Sequence, residues 1–80
     1  MEGHLQRHLG YHLRVYRSER GLSQEAFADL LGVHRTYLGG VERGERNLTL
    51  KAVERIADHL DLDPLLLLQP PKTSGKRARR

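Results

Sequence analysis

Apolar residues recur at three- and four-residue steps over most of the chain, a spacing that places them on one face of an α-helix. No segment alternates apolar and polar residues as a half-buried strand does. The clearest pattern follows Thr49, a residue suited to cap a helix. Its apolar positions are Leu50, Val53, Ile56, Ala57 and Leu60. The pattern predicts an all-α chain in which this amphipathic segment is the fourth helix.

The first helix is predicted from Tyr11 onward, with Gly21 as its C-terminal stop. The segment before it is ambiguous, because Gly3 and Gly10 interrupt a weak helical pattern. Residues 1–8 are therefore interpreted as an N-terminal extension that precedes the folded domain.

Three more short helices are predicted from capping residues and turn signals. Ser23 is placed to cap a second helix that ends at Gly32, and a third begins at His34 after a very tight turn. The segment Pro64–Leu68 has proline at the first helical position and forms the fifth. The sequence thus predicts a five-helix bundle over residues 9–68.

The net charge of +4 belongs to the C-terminal tail. Residues 72–80 hold five of the fourteen basic residues and no acid, so residues 1–71 carry nine positive against ten negative charges. We expect residues 69–80 to form a disordered basic tail. Such a tail either improves solubility or adds salt-sensitive affinity for phosphates. Within the domain, residues 7–46 have seven arginines against five acids, so this half would face a polyanion.

Several classes of protein do not fit the sequence. Without cysteine there is neither a disulfide framework nor a thiolate metal site. No apolar run approaches the ~20 residues that span a bilayer, and no signal-peptide pattern is present, so we expect a cytoplasmic protein with no membrane association. A domain this small has little concave volume for catalysis. We therefore expect no enzyme activity, no catalytic residue and no cofactor.

Three histidines raise the question of a metal site. His4, His8 and His12 lie at i, i+4 and i+8, so adjacent pairs could share a metal if this segment were helical. No acid or cysteine completes such a site. We interpret them as ordinary surface histidines and predict no metal site.

The second and third helices carry the functional signal. Two short helices joined by a glycine-containing turn have the geometry that places the second helix in the major groove of DNA. The small residue Ala28 lies where the helices would cross, and Gly32 lies in the turn. Val33, Leu38 and Val41 supply apolar contacts that would fix the crossing angle.

The stretch RxxxGLSQEAFADLLGVHRTYLGGVERGERNLTLKAVERIADHL resembles the helix-turn-helix domain of phage repressors and Cro proteins, the Xre type. The resemblance covers residues 13–67, about two-thirds of the chain. The combination of GLSQEAFA, the glycine turn and VERGERNLTL carries it. The resemblance implies five helices and sequence-specific binding of double-stranded DNA by a transcriptional regulator, usually a homodimer on a palindromic operator.

The resemblance also implies roles for individual residues. The positions implied to read bases are Arg35, Thr36, Tyr37 and Gly40. An arginine at such a position can pair with the O6 and N7 edge of guanine, whereas Gly40 has no side chain and would leave a base unread. Gly39 is expected on the solvent side of the helix. The positions implied to contact phosphates are Gln24, His34, Arg43, Arg46 and Asn47.

Two further roles concern structure and assembly. The resemblance places Arg17 and Glu42 in a partly buried ion pair between the first and third helices. The run Leu65-Leu66-Leu67-Leu68 is too apolar for an exposed helix. Leu65, Leu66 and Leu68 are therefore expected to contact a second subunit. The alternative is a protein-interaction module, such as an antitoxin, that binds a partner protein such as a toxin through this helix.

Overall fold

The computed structural model describes residues 3–71, and over this range it contains five α-helices and no β-strand. The all-α, five-helix prediction is confirmed. The predicted basic tail lies outside the described residues from position 72 onward. The helices are α1 (His4–Glu19), α2 (Gln24–Leu31), α3 (Arg35–Glu42), α4 (Leu50–Leu60) and α5 (Pro64–Leu68).

Local capping fixes where three of the helices begin. The side chains of Ser23, Thr49 and Asp63 each accept a hydrogen bond from a backbone N–H in the first turn of the helix that follows, at 2.9 to 3.0 Å. These bonds satisfy donors that have no partner within the helix. The three predicted N-caps are therefore confirmed.

The core lies between α1 and the four shorter helices. Leu13, Phe27 and Ala57 are completely buried at its centre, and the ring of Tyr16 stacks on Phe27 with 5.6 Å between the ring centroids. The expectation that Leu50 faces inward is wrong, since this residue is 77% exposed. Leu50 is the first residue of α4 and lines an open groove beside the N-terminal turn of α1.

Helix α1 begins at His4, so the expected interruption at Gly10 is wrong and the predicted domain boundary after residue 8 falls inside this helix. Gly10 is buried where α1 crosses α3. A Cβ atom built on Gly10 would lie 2.7 Å from the carbonyl oxygen of Val41 and closer still to that of Glu42. The glycine therefore allows two helix backbones to approach closely.

The N-terminal half of α1 also holds the end of α5. His8 Nδ1 and His12 Nε2 each lie 2.9 Å from a carbonyl oxygen, that of Leu68 and that of Gln69 respectively. The ring N–H groups donate to carbonyls at the end of α5, beyond which Pro70 has no N–H to offer. These two histidines are half-exposed surface side chains, and each makes a hydrogen bond to α5 or its C-cap that the sequence did not indicate.

Within residues 3–71, no group of three or more histidine, aspartate or glutamate side chains could hold a metal ion. Over the same range, no helix has the length and apolar character needed to cross a membrane.

We expect Gly10→Ala to lower the free energy of unfolding by about 1–3 kcal/mol, the range typical of overpacking. Helix propensity alone would have the opposite sign, because alanine is favoured over glycine by roughly 1 kcal/mol. Urea unfolding followed by circular dichroism measures the difference. Gly39→Ala is the matched control, since a Cβ there meets only ends of flexible side chains. A Gly10→Ala variant as stable as the wild type would contradict the close approach of α1 and α3.

Candidate nucleic-acid interface

Helices α2 and α3 are joined by only three residues, Gly32, Val33 and His34. Gly32 adopts a positive φ of 72°, a conformation that glycine reaches without steric cost. The N–H of Val33 then donates to the carbonyl of Ala28 at 3.0 Å and closes the turn. Ala28, Leu38 and Val41 are buried and Val33 is half-buried, so the apolar contacts expected at this crossing are present.

The first turn of α3 points away from the core. Arg35 and Thr36 are exposed, and Tyr37 is half-buried. His34 caps the helix, because its Nδ1 accepts the N–H of Thr36 at 3.0 Å. Since Nδ1 accepts, the ring proton lies on Nε2, which remains free to donate to an anion. The start of α3 is thus an exposed polar surface of the domain.

A second turn brings basic residues back beside α3. Gly44 has a φ of 75°, and the N–H groups of Gly44 and Glu45 donate to the carbonyls of Val41 and Gly40 at 3.0 and 2.9 Å. This pattern ends α3 and reverses the chain. Three of the residues with predicted phosphate roles are exposed along this turn: Arg43, Arg46 and Asn47.

Gly39 and Gly40 are both buried, which corrects two expectations. A Cβ on Gly39 would lie 3.2 Å from Nη1 of Arg43 and 3.6 Å from Oε1 of Gln24, so this residue does not face solvent. A Cβ on Gly40 would lie 3.1 Å from Cγ of Arg46 and 3.2 Å from its Nε. Gly40 is therefore covered by an arginine side chain and does not present an open backbone surface.

Glu42 is the one charged residue that is buried within residues 3–71, with 2% of its surface exposed. Arg17 Nε donates to its Oε2 at 2.8 Å, and Arg17 Nη2 to its Oε1 at 3.0 Å. Gln24 Nε2 also donates to Oε1 at 3.0 Å, and Arg14 Nη1 donates to the main-chain oxygen of Glu42. The structure brings Arg17 and Glu42 into the ion pair that the resemblance implied. The bond from Gln24 uses one of the two N–H groups of its side-chain amide.

Pattern reasoning missed two of the residues around Glu42. Gly10 and Arg14 share a face of α1 with Arg17, since the three positions are spaced at i, i+4 and i+7. That spacing was a usable signal. It was obscured because glycine and arginine do not contribute to an apolar pattern.

Helix α5 packs against α1 and α4, and its leucines divide into two sets. Leu67 is buried in the core and Leu68 is half-buried. Leu65 and Leu66 are 67% and 43% exposed. Two of the three leucines expected at a subunit contact are therefore accessible.

We expect Arg17→Met to lower the free energy of unfolding by about 3 kcal/mol, because it leaves a buried carboxylate without its ionic partner. Glu42→Gln should cost less, since the Arg17 side chain is 25% exposed and can reach water. Chemical denaturation of both variants tests this order. Arg43→Met is the control: its ion pair with Glu45 is exposed, and such pairs contribute roughly 0–1 kcal/mol. Equal losses in Arg17→Met and Arg43→Met would contradict the role assigned to burial.

Comparison with known proteins agrees with this geometry. A family model described as a helix-turn-helix domain matches residues 8–68. Control protein C.SmaI of Serratia marcescens is 47% identical over 53 residues, which cover 66% of this chain and 63% of that protein. A hypothetical transcription factor of Neisseria meningitidis is 39% identical over 64 residues, 80% of this chain and 60% of that protein. The chain thus spans less than two thirds of the length of either curated relative.

Solved structures give the same result. The crystal structure of the hypothetical transcription factor NHTF from Neisseria superposes with a TM-score of 0.75 at 39% identity, covering 84% of this chain and 77% of that one. The restriction-modification controller protein C.AhdI from Aeromonas hydrophila gives 0.67 at 45% identity, covering 78% and 94%. With its turn, its buried crossing and these relatives, the chain belongs to the helix-turn-helix domain family.

Proposed function

We propose that this protein is a transcriptional regulator that binds double-stranded DNA in a sequence-specific manner and acts in the cytoplasm. The observation that carries the proposal is the exposed first turn of α3, supported on α2 by a turn of three residues. Membership of the helix-turn-helix family supports it, as do relatives named as control proteins and transcription factors. No catalytic role is proposed for any residue.

In this proposal α3 lies in the major groove. Arg35 directs its planar guanidinium at the O6 and N7 atoms of guanine, and Thr36 and Tyr37 contact neighbouring bases or a thymine methyl group. These residues lie on one short helix whose angle is fixed by buried contacts. Sequence preference therefore depends on a few side chains at one end of α3.

Phosphate contacts hold the complex in register. His34 donates through Nε2, and the exposed side chains of Arg43, Arg46 and Asn47 contact the flanking backbone. Gln24 donates one N–H of its amide to Glu42, and the second N–H is the donor that a phosphate would accept from. At this point α2 also adds the partial positive charge of its N-terminus.

We expect selection from a pool of random duplexes to enrich one palindromic motif with half-sites about 34 Å apart, one helical turn of DNA. Arg35→Ala should lose preference at one guanine in each half-site and bind the selected duplex roughly 30- to 25,000-fold more weakly, because the dimer loses two bidentate contacts of about 1–3 kcal/mol each. Sequencing of bound pools and fluorescence anisotropy measure the two effects.

The control for this experiment is Arg55→Ala, which removes the same charge from the exposed surface of α4, outside the proposed interface. It should keep the motif and nearly all of the affinity. If the wild-type protein enriches no motif, the regulator proposal fails and a protein-interaction module becomes the better explanation.

The proposed regulator is a homodimer formed through α5. The exposed side chains of Leu65 and Leu66 support this, because two leucines on a five-residue helix are an apolar surface that a second copy would cover. Leu68 is half-buried and adds only its accessible edge. The same leucines also suit a different protein, such as a toxin bound by an antitoxin, and the oligomeric state separates the two.

We expect the purified chain to be a dimer by size-exclusion chromatography with light scattering, and Leu66→Glu to be a folded monomer, because a charge cannot be buried unpaired at the contact. Leu30→Glu is the matched control. Leu30 is 46% exposed on α2, close to the 43% of Leu66, and its substitution should leave the dimer intact. A monomeric wild-type chain would contradict the homodimer and leave α5 available to a different protein.

A further inference from the structure

We propose that Gly40 is a positioning residue: its missing side chain lets Arg46 lie across α3 with the guanidinium beside the ring of Tyr37, arranged in advance for contact with the DNA backbone. This inference rests on the proposed function, because the contact it prepares is with DNA. It replaces the idea that Gly40 faces the groove and leaves a base unread.

The end of α3 brings Arg46 back over Gly40. The carbonyl of Gly40 accepts the N–H of Glu45 at 2.9 Å, in the turn that reverses the chain at Gly44. The residue that follows Glu45 is Arg46, whose Cγ and Nε lie 3.1 and 3.2 Å from the position that a Cβ on Gly40 would occupy. Contacts this short would require the arginine side chain to shift by a few tenths of an ångström or to take another rotamer. Gly40 therefore contributes both its carbonyl and its empty side-chain position to this arrangement.

The aromatic ring of Tyr37 provides the second contact. The central guanidinium carbon of Arg46 lies 5.2 Å from the centroid of that ring, within the range of cation–π attraction. Tyr37 is half-buried and therefore a firm support, whereas Arg46 is exposed. An arginine on a solvent-exposed turn normally samples many rotamers, and ordering it on binding reduces affinity. Contacts with Gly40 and Tyr37 restrict those rotamers before DNA arrives.

The space left by Gly40 serves a different purpose from the space left by Gly10. At Gly10 the atoms nearest a Cβ belong to the backbone of α3, so the glycine is needed for packing of the fold. At Gly40 the nearest atoms belong to an exposed side chain. Glycine lowers helix stability relative to alanine. At Gly40 the missing side chain affects the position of Arg46.

A double-mutant cycle in the 80-residue chain tests the inference. Gly40→Ala should weaken binding of both the selected duplex and a duplex of random sequence by roughly 5- to 150-fold, the effect of ordering about one side chain in each of two subunits. Since Arg46 contacts phosphates, the selected motif should not change. In an Arg46→Ala background, Gly40→Ala should have no further effect. Wild-type affinity in Gly40→Ala, or the same loss with and without Arg46, would overturn the proposal.

Gly39→Ala is the matched control, because it adds the same methyl group to the same helix next to Arg43 instead of Arg46. Its effect should be the same in the wild-type and Arg46→Ala backgrounds. Thermal unfolding should show Gly40→Ala to be at least as stable as the wild type, so that weaker binding does not reflect unfolding. A similar dependence on Arg46 in both glycine variants would contradict a specific role for Gly40.

Nuclear magnetic resonance of the free protein separates this inference from the proposed function. The side-chain protons of Arg46 should be shifted by the ring current of Tyr37 in the wild type, and the shift should be lost in both Gly40→Ala and Tyr37→Leu. Unchanged Arg46 resonances in Gly40→Ala would overturn the inference even if the protein binds DNA. Failure of the wild type to enrich any duplex would overturn the proposed function, while this measurement still decides where Arg46 lies.

Discussion

The buried carboxylate of Glu42 is the constraint on which the arrangement of the helices depends. It lies at the end of α3 and accepts hydrogen bonds from Arg17 of α1 and Gln24 of α2. The main-chain oxygen of the same residue accepts a bond from Arg14 and packs against Gly10. A buried charge is costly without its partners, so few other packings of these helices are acceptable. One residue thus fixes α3 against both helices that support it.

This internal attachment explains how a short helix can present a surface to a partner. The C-terminal end of α3 is held inside the domain by the bonds to Glu42, and its first turn, with Arg35 and Thr36, is left exposed. The polar residues of this region have two roles. Gln24 donates a hydrogen bond to Glu42 inside the protein, and the arginines of the following turn remain exposed around α3.

Within residues 3–71, three glycines lie inside helices, and each allows a different kind of close contact. Gly10 admits the backbone of α3, Gly39 admits the ends of Arg43 and Gln24, and Gly40 admits the side chain of Arg46. By helix propensity alone, each of the three would make its helix less stable than alanine at the same position. Which contact each glycine permits depends on residues that lie on other parts of the fold or on the following turn.

The sequence by itself determined the five helices and most of their ends, because those features depend on residues three or four positions apart. Ser23, Thr49 and Asp63 cap the helix that follows each of them, and Gly32 supplies the positive φ of the turn. The resemblance located the ion pair of Glu42 with Arg17 of α1. Only the tertiary structure decided two further contacts of α1: Gly10 meets a residue 32 positions later, and His8 meets one 60 positions later. Such contacts follow from how whole helices cross, and no local pattern records that crossing.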